Sequence, residues 1–212
     1  EGRAVLLITR KFSKKEGSKT TLSEVASFKK EFNNYLGINS SFKRNKLEWK
    51  TNFNFNKLSP WESHRIDYQI PSADIISNYD VATANTKRKQ FIFGGGLFYK
   101  INEEDYFSIN INSKLQSEPF EINTTTYNKK ESVENNVATY SDNKSAKNFV
   151  NSFINYSKKI KAIDTQLFTG FQYSNFDQDS KSLVGNNFND TEFKWAQNTD
   201  QKFNVDVISG RI

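Results

Sequence analysis

The sequence predicts an all-β protein, an antiparallel up-and-down meander of about eight long strands that forms part of a transmembrane β-barrel. Three observations lead there. Apolar and polar residues alternate with period two over long stretches, the apolar residues are large β-formers, and short and long connections take turns along the chain.

The alternation is cleanest at 46–57, where Leu47, Trp49, Thr51, Phe53 and Phe55 share one face and Glu48, Lys50, Asn52, Asn54 and Asn56 the other. Segment 106–115 repeats the split, with Phe107, Ile109, Ile111 and Leu115 opposite Ser108, Asn110, Asn112 and Lys114. So does 163–173, with Ile163, Leu167, Phe171 and Tyr173 against Asp164, Gln166, Gly170 and Gln172. Weaker versions at 19–28, 33–43, 86–100, 147–158 and 201–212 complete the set. Strands in soluble domains average about five or six residues, whereas a tilted strand needs about ten to cross a bilayer. The lengths favour the membrane.

Composition agrees. Only 35% of the 212 residues are hydrophobic, yet there are 19 Phe and 9 Tyr, set among Asn, Ser, Thr and Lys. That mixture suits a sheet with one apolar face. The absence of Cys removes disulfides, thiolate metal sites and a cysteine nucleophile. A net charge of +6 suits solvated faces and the phosphate-rich surface of a Gram-negative cell. No stretch of about 18 apolar residues offers a transmembrane helix, a requirement that strands do not share.

In a meander, successive turns fall at opposite ends of the strands. Short links at 44–45, 101–105 and 159–161 alternate with long polar ones at about 58–85, 117–146 and 177–200, with a further short one near 29–32. Short turns at one rim and long loops at the other are what a transmembrane barrel displays.

The sole His64 has no second His or Cys to share a metal and is read as a loop residue. The run Glu103, Glu104 and Asp105 is read as turn chemistry rather than as a general acid and base. Gly94, Gly95 and Gly96 open no helix and precede no Lys-Ser or Lys-Thr, so they mark close approach or curvature and room for something inside, not a phosphate cradle. Asp177 and Asp179 lack the rest of a calcium loop, and acceptor-like tripeptides at Asn39, Asn123, Asn155 and Asn189 are what an Asn-rich chain produces by chance. One-sided aromatics fit a lipid-facing surface better than a stacking platform for nucleic acid, so no nucleic acid is expected. Catalytic, cofactor-binding and metal-ligating residues are assigned to none, no cofactor is expected, and the chain is read as not an enzyme, because no nucleophile, base and orienting group fall together.

The stretch Glu1-Gly2-Arg3-Ala4-Val5-Leu6-Leu7-Ile8-Thr9-Arg10-Lys11 resembles the end of the plug domain in TonB-dependent outer-membrane receptors, within them the Bacteroidetes type. A basic linker follows, and the hairpins at 35–43 and 46–54 are similar to the family's first barrel strands. The resemblance implies three regions: the end of a plug-like domain at 1–11, a linker at 12–18 and the N-terminal part of the barrel at 19–212. It implies a fragment of a receptor and transporter in the cell outer membrane that binds a small nutrient at the surface for TonB-driven uptake. Its partners would be outer-membrane lipid and lipopolysaccharide, the nutrient ligand, and the energy-coupling TonB complex acting through the absent N-terminal part. Two alternatives stand beside it: a complete small eight-stranded barrel serving as anchor or adhesin, with the chain's end paired to strand 19–28, and a soluble all-β binding module.

Overall fold

The computed structural model describes residues 16–28, 31–84, 86–189 and 191–212. The plug-like segment 1–11 and most of the linker lie outside them. The architecture is all-β and antiparallel, with ten strands in one sheet that does not close on itself.

Eight strands follow one another across the sheet. They are β1 (Gly17–Phe28), β2 (Phe32–Arg44), β3 (Leu47–Leu58), β6 (Arg88–Lys100), β7 (Tyr106–Lys130), β8 (Val133–Ile160), β9 (Thr165–Phe188) and β10 (Lys194–Arg211). The remaining two, β4 (Glu62–Ile70) and β5 (Ile75–Ala84), form a hairpin between β3 and β6. Along the path of eight, chain order equals spatial order, the arrangement that short hairpin connections dictate, while β5 pairs β4 on one side and β7 on the other.

Three segments expected to be long loops are strands instead. Residues 58–85 hold the β4–β5 hairpin, 117–146 are the upper halves of β7 and β8 joined at Glu131 and Ser132, and 177–200 continue β9 into β10. The reason is compositional. At Asn123-Thr124-Thr125-Thr126 both faces are polar, so the contrast between faces disappears while β-branched residues and backbone pairing persist. The expected eight strands thus become ten. The two rims survive in another form: short turns at one end, and at the other hairpins reaching far beyond them.

Strand β7 shows why one hairpin is split from the rest. Its lower part pairs β6 as far as Ser117, and from Glu121 upward it pairs β5. Between these sits Pro119, whose carbonyl accepts the N–H of Lys87 at 3.0 Å. A strand residue directs its N–H and C=O toward the same neighbour, so Pro119 has no donor to return and the ladder breaks there.

Turn chemistry is consistent. Among the described residues, the non-glycine residues with positive φ are Asn45, Asp74, Glu131, Asp164 and Asn189, all at hairpin ends. Asn and Asp tolerate that region and Glu does so less readily. Short 3-10 turns at Pro71–Ala73 and Lys161–Ile163 each end in a left-handed Asp whose N–H bonds back to the first residue of the turn.

Candidate functional site

Residues directly opposed across antiparallel strands point to the same face, so the pairings sort every side chain. One row runs Leu22, Ile38, Phe53, Phe93, Ser113, Val150, Asn175 and Asp206, from β1 to β10. Its face, named here the band face, carries most of the apolar residues of the lower half of the sheet, while Ile92, Phe98, Phe149, Phe153 and Phe168 lie on the other. No hydrophobic residue among those described is buried: Leu22 is 68% exposed, Leu115 48% and Phe93 47%.

The apolar band crosses the sheet obliquely. On β1 and β2 it reaches up to Phe28 and Phe32, on β3, β6 and β7 it spans Leu47 to Phe55 and their partners, and on β9 and β10 it has dropped to Leu167, Phe171 and Ile208. The slide amounts to about one residue per strand. With a rise of about 3.3 Å per residue and strands about 4.8 Å apart, that is a slope of about 35°. Strands of membrane barrels tilt by about 35–45°.

The opposite face is an amide carpet. One row reads Asn39, Asn52, Gly94, Asn112, Asn151 and Ser174, with the Ser174 hydroxyl donating to Asn151 at 2.9 Å. A directional relay lies above it: Asn56 donates to Gln90 at 3.1 Å, Gln90 to Gln116 at 2.8 Å, and Gln116 to the Glu118 carboxylate at 2.8 Å, which also receives the Arg88 guanidinium. The relay binds three strands through side chains on a face that water can reach.

The glycines of β6 serve this carpet. A Cβ on Gly94 would collide with the Asn52 carboxamide, and one on Gly96 would lie 2.5 Å from Asn110 Oδ1. The room expected beside Gly94 to Gly96 is therefore filled by asparagine side chains from β3 and β7. Gly95 faces the other way, where a Cβ would meet only Phe93 at 3.8 Å.

Above the band the polarity reverses. On β4 and β5 the amide face presents Ile66, Tyr68, Ile70, Tyr79 and Val81, while Arg65, Asp67, Asn78 and Asp80 occupy the band face. Strand β10 makes the same switch within itself, with Phe203, Val205 and Val207 on the amide face and Ile208 on the other.

At the short-turn rim, Asp105 accepts the Lys159 N–H at 2.7 Å and the Asn102 amide at 2.6 Å. Both bonds, the backbone one foremost, hold its carboxyl below the usual carboxylate range. Asn102 in turn accepts the N–H groups of Glu104 and Asp105. The acidic run is turn chemistry, as its sequence setting suggests.

Other sequence candidates fall apart from one another. His64 lies on β4 beside Tyr79, not in a loop, because its segment pairs with β5. Asp177 and Asp179 sit mid-strand on β9, and among the described residues no three His, Cys, Asp or Glu side chains gather where a metal could be held. The relay carries no sequence signal, since its amides come from three strands of an amide-rich chain. No protein-family model and no curated protein matches the chain.

Proposed function

We propose that the chain forms part of the wall of an outer-membrane β-barrel, in a receptor and transporter that takes a small nutrient at the cell surface for TonB-driven uptake. The observation that carries the wall reading is the uncovered, oblique apolar band. A single sheet with no buried hydrophobic residue among those described needs a cover for its apolar face. A band sloping at the tilt of barrel strands fits hydrocarbon as that cover. The amide face supplies a hydrated wall whose Asn, Gln and Ser groups suit a polar solute. Strand β1 starts at the short-turn rim. In TonB-dependent receptors a plug precedes the barrel at that rim, which favours uptake as the role.

Single cysteines test the wall. In membranes, Phe53→Cys and Ile111→Cys should resist a membrane-impermeant thiol reagent, and Asn54→Cys and Asn112→Cys should react. Equal labelling of both faces sinks the reading. Uptake is tested by comparing accumulation of iron chelates, cobalamin, glycans and peptides in cells with and without the gene; no difference for any of them removes the transport role.

The path of eight neighbouring strands favours a second reading, a small closed barrel acting as anchor or adhesin. It requires β10 to pair with β1. A disulfide between Val25→Cys and Val207→Cys would support it, and the sheet leaves that pairing unmade.

A further inference from the structure

We infer that the amide face binds a small hydroxy acid in a hollow over Gly170, where Arg211 takes the carboxylate and Asn155 accepts from the hydroxyl. The inference rests on the uptake reading above and names a class of solute for it.

Two neighbouring rows of the amide face make the site. Asn155, Gly170 and Arg211 oppose one another on β8, β9 and β10, and Phe153, Gln172 and Ser209 form the row beside them. Gly170 has no side chain to fill its place, and a hollow of about 270 Å³ opens among these residues. The point where a Cβ of residue 170 would stand is 3.2 Å from Arg211 Nε and 3.2 Å from Asn155 Oδ1. A donor and an acceptor thus face the same small space.

The donor is held but not engaged. Arg211 Cζ lies 4.6 Å from the centroid of the Phe168 ring, a cation–π contact that orients the guanidinium without using its N–H groups. Arg211 forms no ion pair with a described residue. The Asn155 amide nitrogen turns to the Ser108 hydroxyl at 3.5 Å, which leaves its carbonyl oxygen to the hollow.

The charge of the surrounding wall selects an anion. On β8 to β10 every carboxylate, from Glu134 and Asp142 through Asp177 and Asp179 to Asp200 and Asp206, stands on the band face. The amide face of the same strands bears Lys147, Lys159, Lys194 and Arg211 and no Asp or Glu. At the rim below, Asp105 and Asp164 are taken up by the N–H and the ammonium group of Lys159. A face of one sign raises the local concentration of anions.

Chemistry narrows the anion further. A guanidinium fork matches a carboxylate with two parallel hydrogen bonds, and its single charge balances a carboxylate better than a phosphomonoester, which carries nearly two. A bare carboxylate would leave Asn155 Oδ1 facing another oxygen, so the ligand needs an O–H or N–H close to its carboxylate. An amino acid would bring an ammonium charge to a face already cationic; a hydroxyl brings none. Phe153 walls the hollow with a ring that suits the carbon skeleton.

The test is a fluorine NMR titration of the intact protein in lipid nanodiscs, with empty nanodiscs as the blank. Three probes are compared: p-fluoromandelate, p-fluorophenylacetate, which lacks the hydroxyl, and p-fluoromandelamide, which lacks the charge. The hydroxy acid should bind about tenfold more tightly than either of the others. Arg211→Gln should bring it down to the level of its amide. Asn155→Ala should bring it down to the level of p-fluorophenylacetate, whose own binding stays as it was. Lys147→Gln, which removes a charge from the same face but none from the hollow, should change nothing. Equal binding of the three probes, a preference for the hydroxy acid that survives Arg211→Gln, an equal loss in Lys147→Gln, or displacement by inorganic phosphate at the same concentration overturns the site. Each of these outcomes leaves the wall and uptake readings standing, because thiol labelling and cellular accumulation decide those separately.

Discussion

The Asp105 carboxylate and the Lys159 N–H meet at 2.7 Å, which ties the β6–β7 turn to the end of β8 and so fastens two neighbouring hairpins at one rim. Asp105→Ala should lower the melting temperature by a few degrees, and Asp105→Asn, which keeps one acceptor, by less. The pH dependence follows from the depressed carboxyl. Its contribution is fully present above the unfolded-state value of about 3.9 and is lost as the pH falls through the lower folded-state value. As the pH falls from about 4, the gap between the melting curves of wild type and Asp105→Ala should narrow, and it should close below the folded-state value; a constant gap at every pH sinks the assignment.

Gly94 is required by the asparagine lying over it. Gly94→Ala should destabilise by about 1–3 kcal/mol through overpacking. In the Asn52→Ser background the same substitution should cost less, because the carboxamide it strikes is gone. Gly95→Ala, facing open space on the other side, should be near neutral. A double-mutant cycle in denaturant without coupling between positions 52 and 94 would contradict the contact.

Glu131 holds a left-handed backbone, φ 55°, at the tip of the β7–β8 hairpin, and its N–H donates to the Asp74 carbonyl at 3.1 Å. Glu131→Gly should stabilise by about 1 kcal/mol, since glycine adopts this region without the Cβ penalty and keeps the bond. Equilibrium unfolding measures it, and a loss of stability would show that the Glu side chain matters more than its backbone.

A charge on the band face is costly only if that face meets lipid. In a bilayer, Ile111→Lys should destabilise by about 2–4 kcal/mol and Asn112→Lys, on the amide face, by less than about 1. Folding titrations in lipid vesicles decide between them. Equal costs would mean that water reaches both faces.

How far the chain could be read from sequence depended on contrast between faces. Leu47 to Asn56 has an apolar and a polar side, so its strand was evident with bounds close to those observed. Asn123 to Thr126 pairs just as regularly, but two polar faces leave no period to detect; beside His64, by contrast, Ile66, Tyr68 and Ile70 alternate with Arg65, Asp67 and Gln69, a strand signal that a loop reading overlooks. At Val207 and Ile208 adjacent apolar residues mark a change of face without a bulge, which looks like noise until the pairing is known. The slope of the band and the Asn56–Gln90–Gln116 relay are properties of register between strands, to which a single strand's pattern is blind.

The reversal of polarity along these strands acts like a ship's load line. Strand β7 has 25 residues, about 85 Å of extended chain, while hydrocarbon accounts for about 30 Å. Sliding the sheet downward in a bilayer would drag Arg65, Asp67 and Asp80 into lipid, and sliding it upward would strip Phe53, Phe93 and Ile111 of their cover. The two penalties oppose each other, so in the proposed wall the draught would be written into side-chain parity.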